Sequence, residues 1–304
     1  MKNEYIKSPI TNSENVHLVK RLSVSQIIQL YKRDFNIDVS SYLEGINTIS
    51  IIECRDTFYR FYYPSTILGD NIFYEKLQKV QNSDSYYAPW RWEHEIVYNH
   101  LTSNENVLDI GCGSGNFMVK VKEKTSNIFG LEYNNLAIEK CKAKGLLVYN
   151  TLLEEFSNSK ENQLKFDVVC AFQVLEHVYN VSSFITYCLK LLRPGGKLII
   201  GVPNNNPYLY KYDYYHTLNL PPHHIGLWNR NSLKNLQKFY PIKLSLLLIE
   251  PNFNIDYWID VQVKKWISIN NLSSLLKRLG LSKLISRISK YTEGRNLLAF
   301  YIKS

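Results

Sequence analysis

Three glycines, two carboxylates and a pair of adjacent histidines are the residues of this chain whose types and spacing best suit chemistry. In the run Val107-Leu-Asp-Ile-Gly-Cys-Gly-Ser-Gly-Asn-Phe117, a short apolar segment delivers Asp109 and then Gly111, Gly113 and Gly115. Glycine lets the backbone turn sharply and approach a ligand where any Cβ would clash. About twenty residues on, the apolar run Ile128-Phe-Gly-Leu ends in Glu132, the distance at which an acidic side chain reaches ribose hydroxyls. Strand, glycine turn, helix and second strand therefore read as a nucleoside-binding unit, with the helix expected from about Asn116 to Lys124. Asp109 separates this unit from a nicotinamide fingerprint, which carries an apolar residue there and gives a carboxylate no cation to meet. Its expected partner is an ammonium group on the ligand.

The histidines follow later, in Asn219-Leu-Pro-Pro-His-His-Ile-Gly-Leu-Trp228. Two prolines before His223 and His224 predict a turn that holds the imidazoles in place. A histidine base titrating near 6.5 suits proton removal from a hydroxyl or an acidic carbon, and His177 competes for the same role. The five cysteines are odd in number and scattered through apolar segments, so they read as reduced core residues, Cys112 in the glycine loop among them. No metal-ligand spacing is read.

Two further segments complete a recognisable series: Phe166-Asp-Val-Val-Cys-Ala-Phe-Gln-Val-Leu-Glu-His177, and Leu191-Leu-Arg-Pro-Gly-Gly-Lys-Leu-Ile-Ile-Gly-Val-Pro-Asn204. With the glycine turn and Glu132 they resemble the class I S-adenosylmethionine-dependent methyltransferases, specifically across roughly residues 93–204 and more diffusely beyond. The resemblance implies an α/β fold with a Rossmann-like doubly wound seven-stranded sheet. Ile242–Ile249 would be its sixth strand, and Asn296–Ile302 a seventh inserted antiparallel between the fifth and sixth. It implies S-adenosylmethionine as cofactor, with the methionine part over Gly111, Gly113 and Gly115 and the ribose diol on Glu132. The family's adenine-binding Asp is missing from Asn150-Thr-Leu-Leu-Glu-Glu-Phe156, which leaves the backbone of Leu152 and Leu153 for the base. Gln173 and Leu175-Glu-His177 would face both sulfonium and acceptor. Tyr87 and Trp92, from an aromatic cluster before the first helix of the domain, would lie over the sulfonium.

Within that family the chain looks most like enzymes of bacterial glycan and deoxysugar clusters, which carry a similar Pro-Pro-His-His segment near the acceptor pocket. Their N-terminal zinc ribbon corresponds here to Ser8-Pro-Ile-Thr11 and Cys54-Arg-Asp-Thr57, where three of four ligand positions hold hydroxyls that do not replace thiolates. The ribbon is therefore read as degenerate and metal-free, packed by Phe58, Tyr59, Phe61 and Tyr62. Two regions follow: residues 1–89, with a helix over Ser23–Arg33, a hairpin of Ile49–Cys54 and Phe58–Tyr63 and a helix opening near Gly69, and a methyltransferase domain over 90–304 with a helical insertion at about 252–294.

Composition limits the remaining classes. At 304 residues, 45% hydrophobic, the chain buries a full core. It holds no apolar run of the roughly 20 residues that span a bilayer and no signal-peptide pattern at Met1-Lys-Asn-Glu-Tyr, so a cytoplasmic location is expected. The net charge of +9 comes without any nucleic-acid-binding module. Leucines and isoleucines on one side of 272–290 and basic residues on the other suit a membrane surface, a partner helix or packing on its own domain. The leading expectation is O-methylation of a sugar-type small-molecule acceptor, nucleotide-linked or glycan-terminal. A quinone, lipid or other metabolite is the alternative acceptor, and a catalytically silent binding or assembly subunit is the alternative class. Oligomeric state is left open.

Overall fold

The computed structural model describes residues 6–81, 90–205, 216–252, 275, 278–281 and 292–304. Tyr87 and most of the 272–290 stretch lie outside them. The N-terminal part starts with β1 (Val16–Ser23), which pairs antiparallel with β2 (Thr48–Cys54), itself paired with β3 (Arg60–Tyr63). Between β1 and β2 lies α1 (Val24–Phe35). Ser23 caps it, its Oγ accepting from Gln26 N at 3.4 Å, and Asn36 closes it in the left-handed region at φ 53°. Its apolar spacing buries Val24, Ile27, Leu30 and Tyr31. Helix α2 (Asn71–Val80) starts at Asp70, whose Oδ1 accepts from Phe73 N at 2.9 Å and from the Tyr42 hydroxyl at 2.6 Å. The hairpin and both helices fall where the sequence places them. β1 is an addition, because its pattern alternates weakly and leaves Leu22 as its one buried residue.

The second part is α3 (Trp92–His100), β4 (Val107–Ile110), α4 (Asn116–Val121), β5 (Ile128–Leu131), α5 (Asn135–Ala143), β6 (Leu147–Tyr149), α6 (Leu153–Asn158), β7 (Phe166–Phe172), α7 (Val181–Leu191) and β8 (Leu192–Pro203). After it come β9 (Gly226–Leu227), α8 (Arg230–Asn235), β10 (Ile242–Pro251) and β11 (Glu293–Lys303). The large sheet has seven strands in the order β10-β11-β8-β7-β4-β5-β6. Strands β4 to β8 pair in parallel, and β11 enters antiparallel between β8 and β10. This is the expected doubly wound fold. The central strands β4 and β7 are buried along their whole length, as parallel strands covered on both faces must be, whereas edge strand β6 is partly exposed.

The two parts are joined through β9. This two-residue strand, from the segment after β8, pairs with β3 and becomes the fourth strand of the N-terminal sheet. Tyr59 and Trp228 are both fully buried with ring centroids 4.6 Å apart, an aromatic pair worth about 0.5–1.5 kcal/mol beyond its area. Ile10, Ile52, Tyr59 and Phe61 share one apolar cluster with Leu108, Val169 and Leu198 of the large sheet. Among the described residues no helix is long and apolar enough to cross a membrane.

Candidate active site

The β4–α4 turn is shaped for close approach. Gly111, Gly113 and Gly115 have φ of 70°, 53° and 73°, left-handed values that L side chains rarely adopt. Three contacts brace the loop. Gly113 N donates to Glu132 Oε2 at 2.8 Å, the Cys141 thiol donates to the Gly113 carbonyl at 3.2 Å, and Lys144 Nζ donates to the Ser114 carbonyl at 2.7 Å. Glu132 Oε1 accepts from Tyr133 N and Asn134 N, each at 2.8 Å, so one carboxylate ties the glycine loop to the end of β5. A Cβ on Gly115 would overlap Leu146 Cδ1. Its role is packing, and it does not line the cavity that Gly111 and Gly113 line.

That cavity has a volume of about 760 Å³ and is also lined by Asp109, Glu132, Phe117 and Phe172. Asp109 is 2% exposed, and burial, with Glu132 and Cys141 nearby, pushes its carboxyl well above the usual range. An ammonium group would supply the positive charge this carboxylate lacks. With a glycine backbone beside it and Glu132 oxygens beyond, the residues fit the methionine and ribose parts of S-adenosylmethionine.

The same cavity is lined by Tyr74, Glu176, His177, Asn204, Asn205, Asn219, His223 and His224. The N-terminal part sets the histidine turn. The Tyr31 hydroxyl donates to the Leu220 carbonyl at 2.7 Å, the Tyr62 hydroxyl to the Asn219 carbonyl at 3.1 Å, and Gly69 N to the Pro222 carbonyl at 2.9 Å. Ile225 N donates to the Glu176 carbonyl at 2.8 Å, which fastens the turn to the segment after β7. Ring centroids of His177 lie 4.9 Å from those of both His223 and His224, which stack at 4.4 Å. Tyr74, one turn into α2, donates to the His223 carbonyl at 3.1 Å.

Burial lowers the proton affinity of all three rings, to about 4 for His177, to about 3 for His223, and well below the ordinary value for His224. All are neutral at neutral pH. The expected free imidazole base near 6.5 is corrected here, because desolvation penalises the imidazolium far more than the surrounding carbonyls favour it.

Gln173, at the end of β7, lines the cavity in a left-handed conformation at φ 55°, its Nε2 donating to Glu93 Oε1 at 3.2 Å and Asn296 Oδ1 at 3.3 Å. Trp92 is placed differently from its expected position over a ligand. It opens α3 and packs half-buried against the cluster containing Val97 and Phe117, while its neighbours Arg91 and His94 line the cavity. Leu152 and Leu153 also stand outside the lining; Leu152 is half-exposed at the start of α6. Sequence reasoning missed Tyr74 and the cavity asparagines, which belong to no motif. It also missed the meeting of His177 with His223 and His224, since 46 residues separate them and the absence of a metal-ligand spacing hid the cluster.

Residues 86–239 match the methyltransferase domain family. A Mycolicibacterium smegmatis protein named "Probable S-adenosylmethionine-dependent methyltransferase" is 31% identical over 121 residues, covering 38% of this chain and 46% of that protein. The mitochondrial ubiquinone biosynthesis O-methyltransferase of Dictyostelium discoideum is 33% identical over 114 residues, covering 33% of this chain and 35% of that protein. The chain spans less than half the length of these curated relatives. A S-adenosylmethionine-dependent methyltransferase from Archaeoglobus fulgidus superposes with a TM-score of 0.50 at 20% identity, covering 77% of this chain and 100% of that one. A chain from the complex of the Haloferax volcanii Trm112 methyltransferase activator with a methyltransferase does so at 0.52 and 13%, covering 74% and 96%. At such identities the solved structures speak for the fold alone. Fold, glycine loop and family match agree, and this chain belongs to the methyltransferase domain family.

Proposed function

We propose that the enzyme methylates a hydroxyl of a small polar acceptor, a nucleotide-linked or glycan-terminal sugar. One observation carries this reading: the cavity is lined by Asn204, Asn205, Asn219 and Asn296 together with His177, His223 and His224, polar groups of the kind that meet the hydroxyls of a sugar. The cofactor supplies an electrophilic methyl group on a sulfonium. Asp109 holds its ammonium group, Gly111 and Gly113 allow its close approach, and Glu132 holds the ribose diol. His177, His223 and His224 receive the acceptor hydroxyl, and alignment of that oxygen contributes most of the acceleration. The N-terminal part supports the same acceptor class. Ser8 and Thr57 are fully buried in two turns that meet where Thr11 Oγ1 lies 3.9 Å from Cys54 Sγ, which brings together the four positions that the sequence reading assigns to a degenerate ribbon.

A quinol acceptor is the second reading, favoured by the name of the Dictyostelium relative. The two are separated by measuring S-adenosylhomocysteine release with a panel of nucleotide sugars and with catechol-type quinols. Turnover confined to the sugars supports the first reading, and turnover confined to quinols replaces it.

A further inference from the structure

Each of the three clustered histidines uses the same ring nitrogen for an internal hydrogen bond. His177 Nδ1 lies 2.7 Å from the His223 carbonyl, His223 Nδ1 lies 2.7 Å from the Leu218 carbonyl, and His224 Nδ1 lies 3.1 Å from Asn219 Oδ1. A carbonyl oxygen only accepts, so Nδ1 carries the hydrogen in His177 and His223, and the amide oxygen of Asn219 holds His224 in the same tautomer. The lone pairs are therefore on Nε2. Among the described residues no donor meets them, and one ring nitrogen from each residue lies within 4.8 Å of the others. Nδ1–H bonded to a backbone or amide oxygen, with Nε2 left free, is the outer-shell arrangement that fixes metal-ligating histidines.

Glu176 is a second, independent observation. Its side chain is almost fully buried, lines the same cavity, and leaves Oε2 without a hydrogen-bond partner, while Oε1 lies 3.9 Å from His177 Nε2. An unpartnered buried carboxyl oxygen beside three histidines whose ring nitrogens cluster is a donor set suited to a cation.

We propose that His177, His223 and His224, with Glu176 beside them, bind one divalent transition-metal ion in the acceptor part of the cavity. Nitrogen-rich ligands with a single carboxylate favour zinc, cobalt, manganese or iron over magnesium or calcium. A tetrahedral zinc about 2.1 Å from each nitrogen brings them about 3.4 Å apart, a contraction that imidazole rotations can supply. Three histidines and Glu176 leave a fifth coordination position, and the acceptor hydroxyl is its occupant. That assignment rests on the proposed function. There the ion lowers the pKa of the hydroxyl. The hydroxyl proton passes to water. The acceptor oxygen then forms its bond to the methyl carbon as the carbon–sulfur bond breaks and sulfur keeps the electron pair. The ion is not consumed.

The test is titration of the metal-stripped full chain with Co²⁺ alone, followed by visible absorption, with S-adenosylhomocysteine binding measured on the same samples by calorimetry. One equivalent of Co²⁺ should give the intense bands of a four- or five-coordinate site. Zn²⁺ should displace them. His223→Ala and His224→Ala should weaken Co²⁺ binding more than about 100-fold while S-adenosylhomocysteine affinity stays within about threefold. If either variant fails to fold, the wild-type spectrum still decides. A wild-type spectrum of hydrated Co²⁺ only, with S-adenosylhomocysteine bound normally, overturns the cation site and leaves the methyltransferase reading intact. Co²⁺ bands that persist in both variants place the ion elsewhere and also overturn it. Normal Co²⁺ bands with turnover confined to quinols keep the site and refute the sugar.

Discussion

Replacing Glu132 isolates the contribution of one side chain to cofactor binding. In the free protein its carboxylate accepts three backbone N–H groups, from Gly113, Tyr133 and Asn134, all at 2.8 Å. Tyr133 is exposed and Gly113 faces a cavity, so water replaces much of what the fold loses in Glu132→Ala. The stability cost should stay near 1 kcal/mol. Binding has no such substitute, because the ribose diol loses a charged acceptor. A hydrogen bond to a charged group contributes about 1.5–3 kcal/mol, so the dissociation constant for S-adenosylhomocysteine should rise about 10- to 150-fold. Glu132→Gln keeps one acceptor oxygen and should fall between wild type and Ala. Isothermal titration calorimetry reads the binding and thermal melting of the unliganded variants reads the stability. Wild-type affinity in a variant with a wild-type melting temperature would refute the argument, since the ribose would then lie away from Glu132.

Gly115→Ala should lower stability by about 1–3 kcal/mol, from strain at φ 73° and overlap with Leu146 and Cys141; urea unfolding measures it. Glu93 is buried with Oε2 unpartnered, and burial raises its carboxyl above the ordinary value. Its contribution is therefore fully present below the unfolded value and is lost as pH rises through the folded one. Glu93→Gln should thus gain stability at pH 8 and almost nothing near pH 4, as read by denaturant titration at the two pH values. His223→Ala and His224→Ala should lower turnover on the true acceptor about 10²- to 10⁴-fold, with the Michaelis constant for S-adenosylmethionine nearly unchanged in steady-state kinetics.

Most of the large sheet was legible because its central strands are short, mostly apolar runs, each interrupted by a single Asp. Val107–Ile110 and Phe166–Phe172 are buried at every position, so no alternation had to be judged. The glycine loop and its acid were legible for a related reason: Gly111, Gly113 and Glu132 lie within one β–α–β unit, and local spacing brings Gly113 N to Glu132. The acceptor side draws on distant segments. His177 follows β7, His223 and His224 follow β8, and Tyr74 comes from α2, brought together by hydrogen bonds from Tyr31, Tyr62 and Gly69 to the backbone of the histidine turn. Two-residue β9 carries too little pattern to announce that this turn joins the N-terminal sheet. Trp92 packs against the cluster of Val97 and Phe117, a placement that aromatic composition does not reveal. Burial also reversed the expected basicity of the histidines, a property set by neighbours that sequence order does not reveal.

A crystal structure of the chain with S-adenosylhomocysteine tests the central claim most directly. The methionine ammonium should lie against Asp109, its chain over Gly111 and Gly113, both ribose hydroxyls within hydrogen-bond distance of Glu132, and the sulfur facing the cavity shared with His177, His223 and His224. A ligand bound with its ribose away from Glu132, or with its sulfur turned from the histidines, would contradict it.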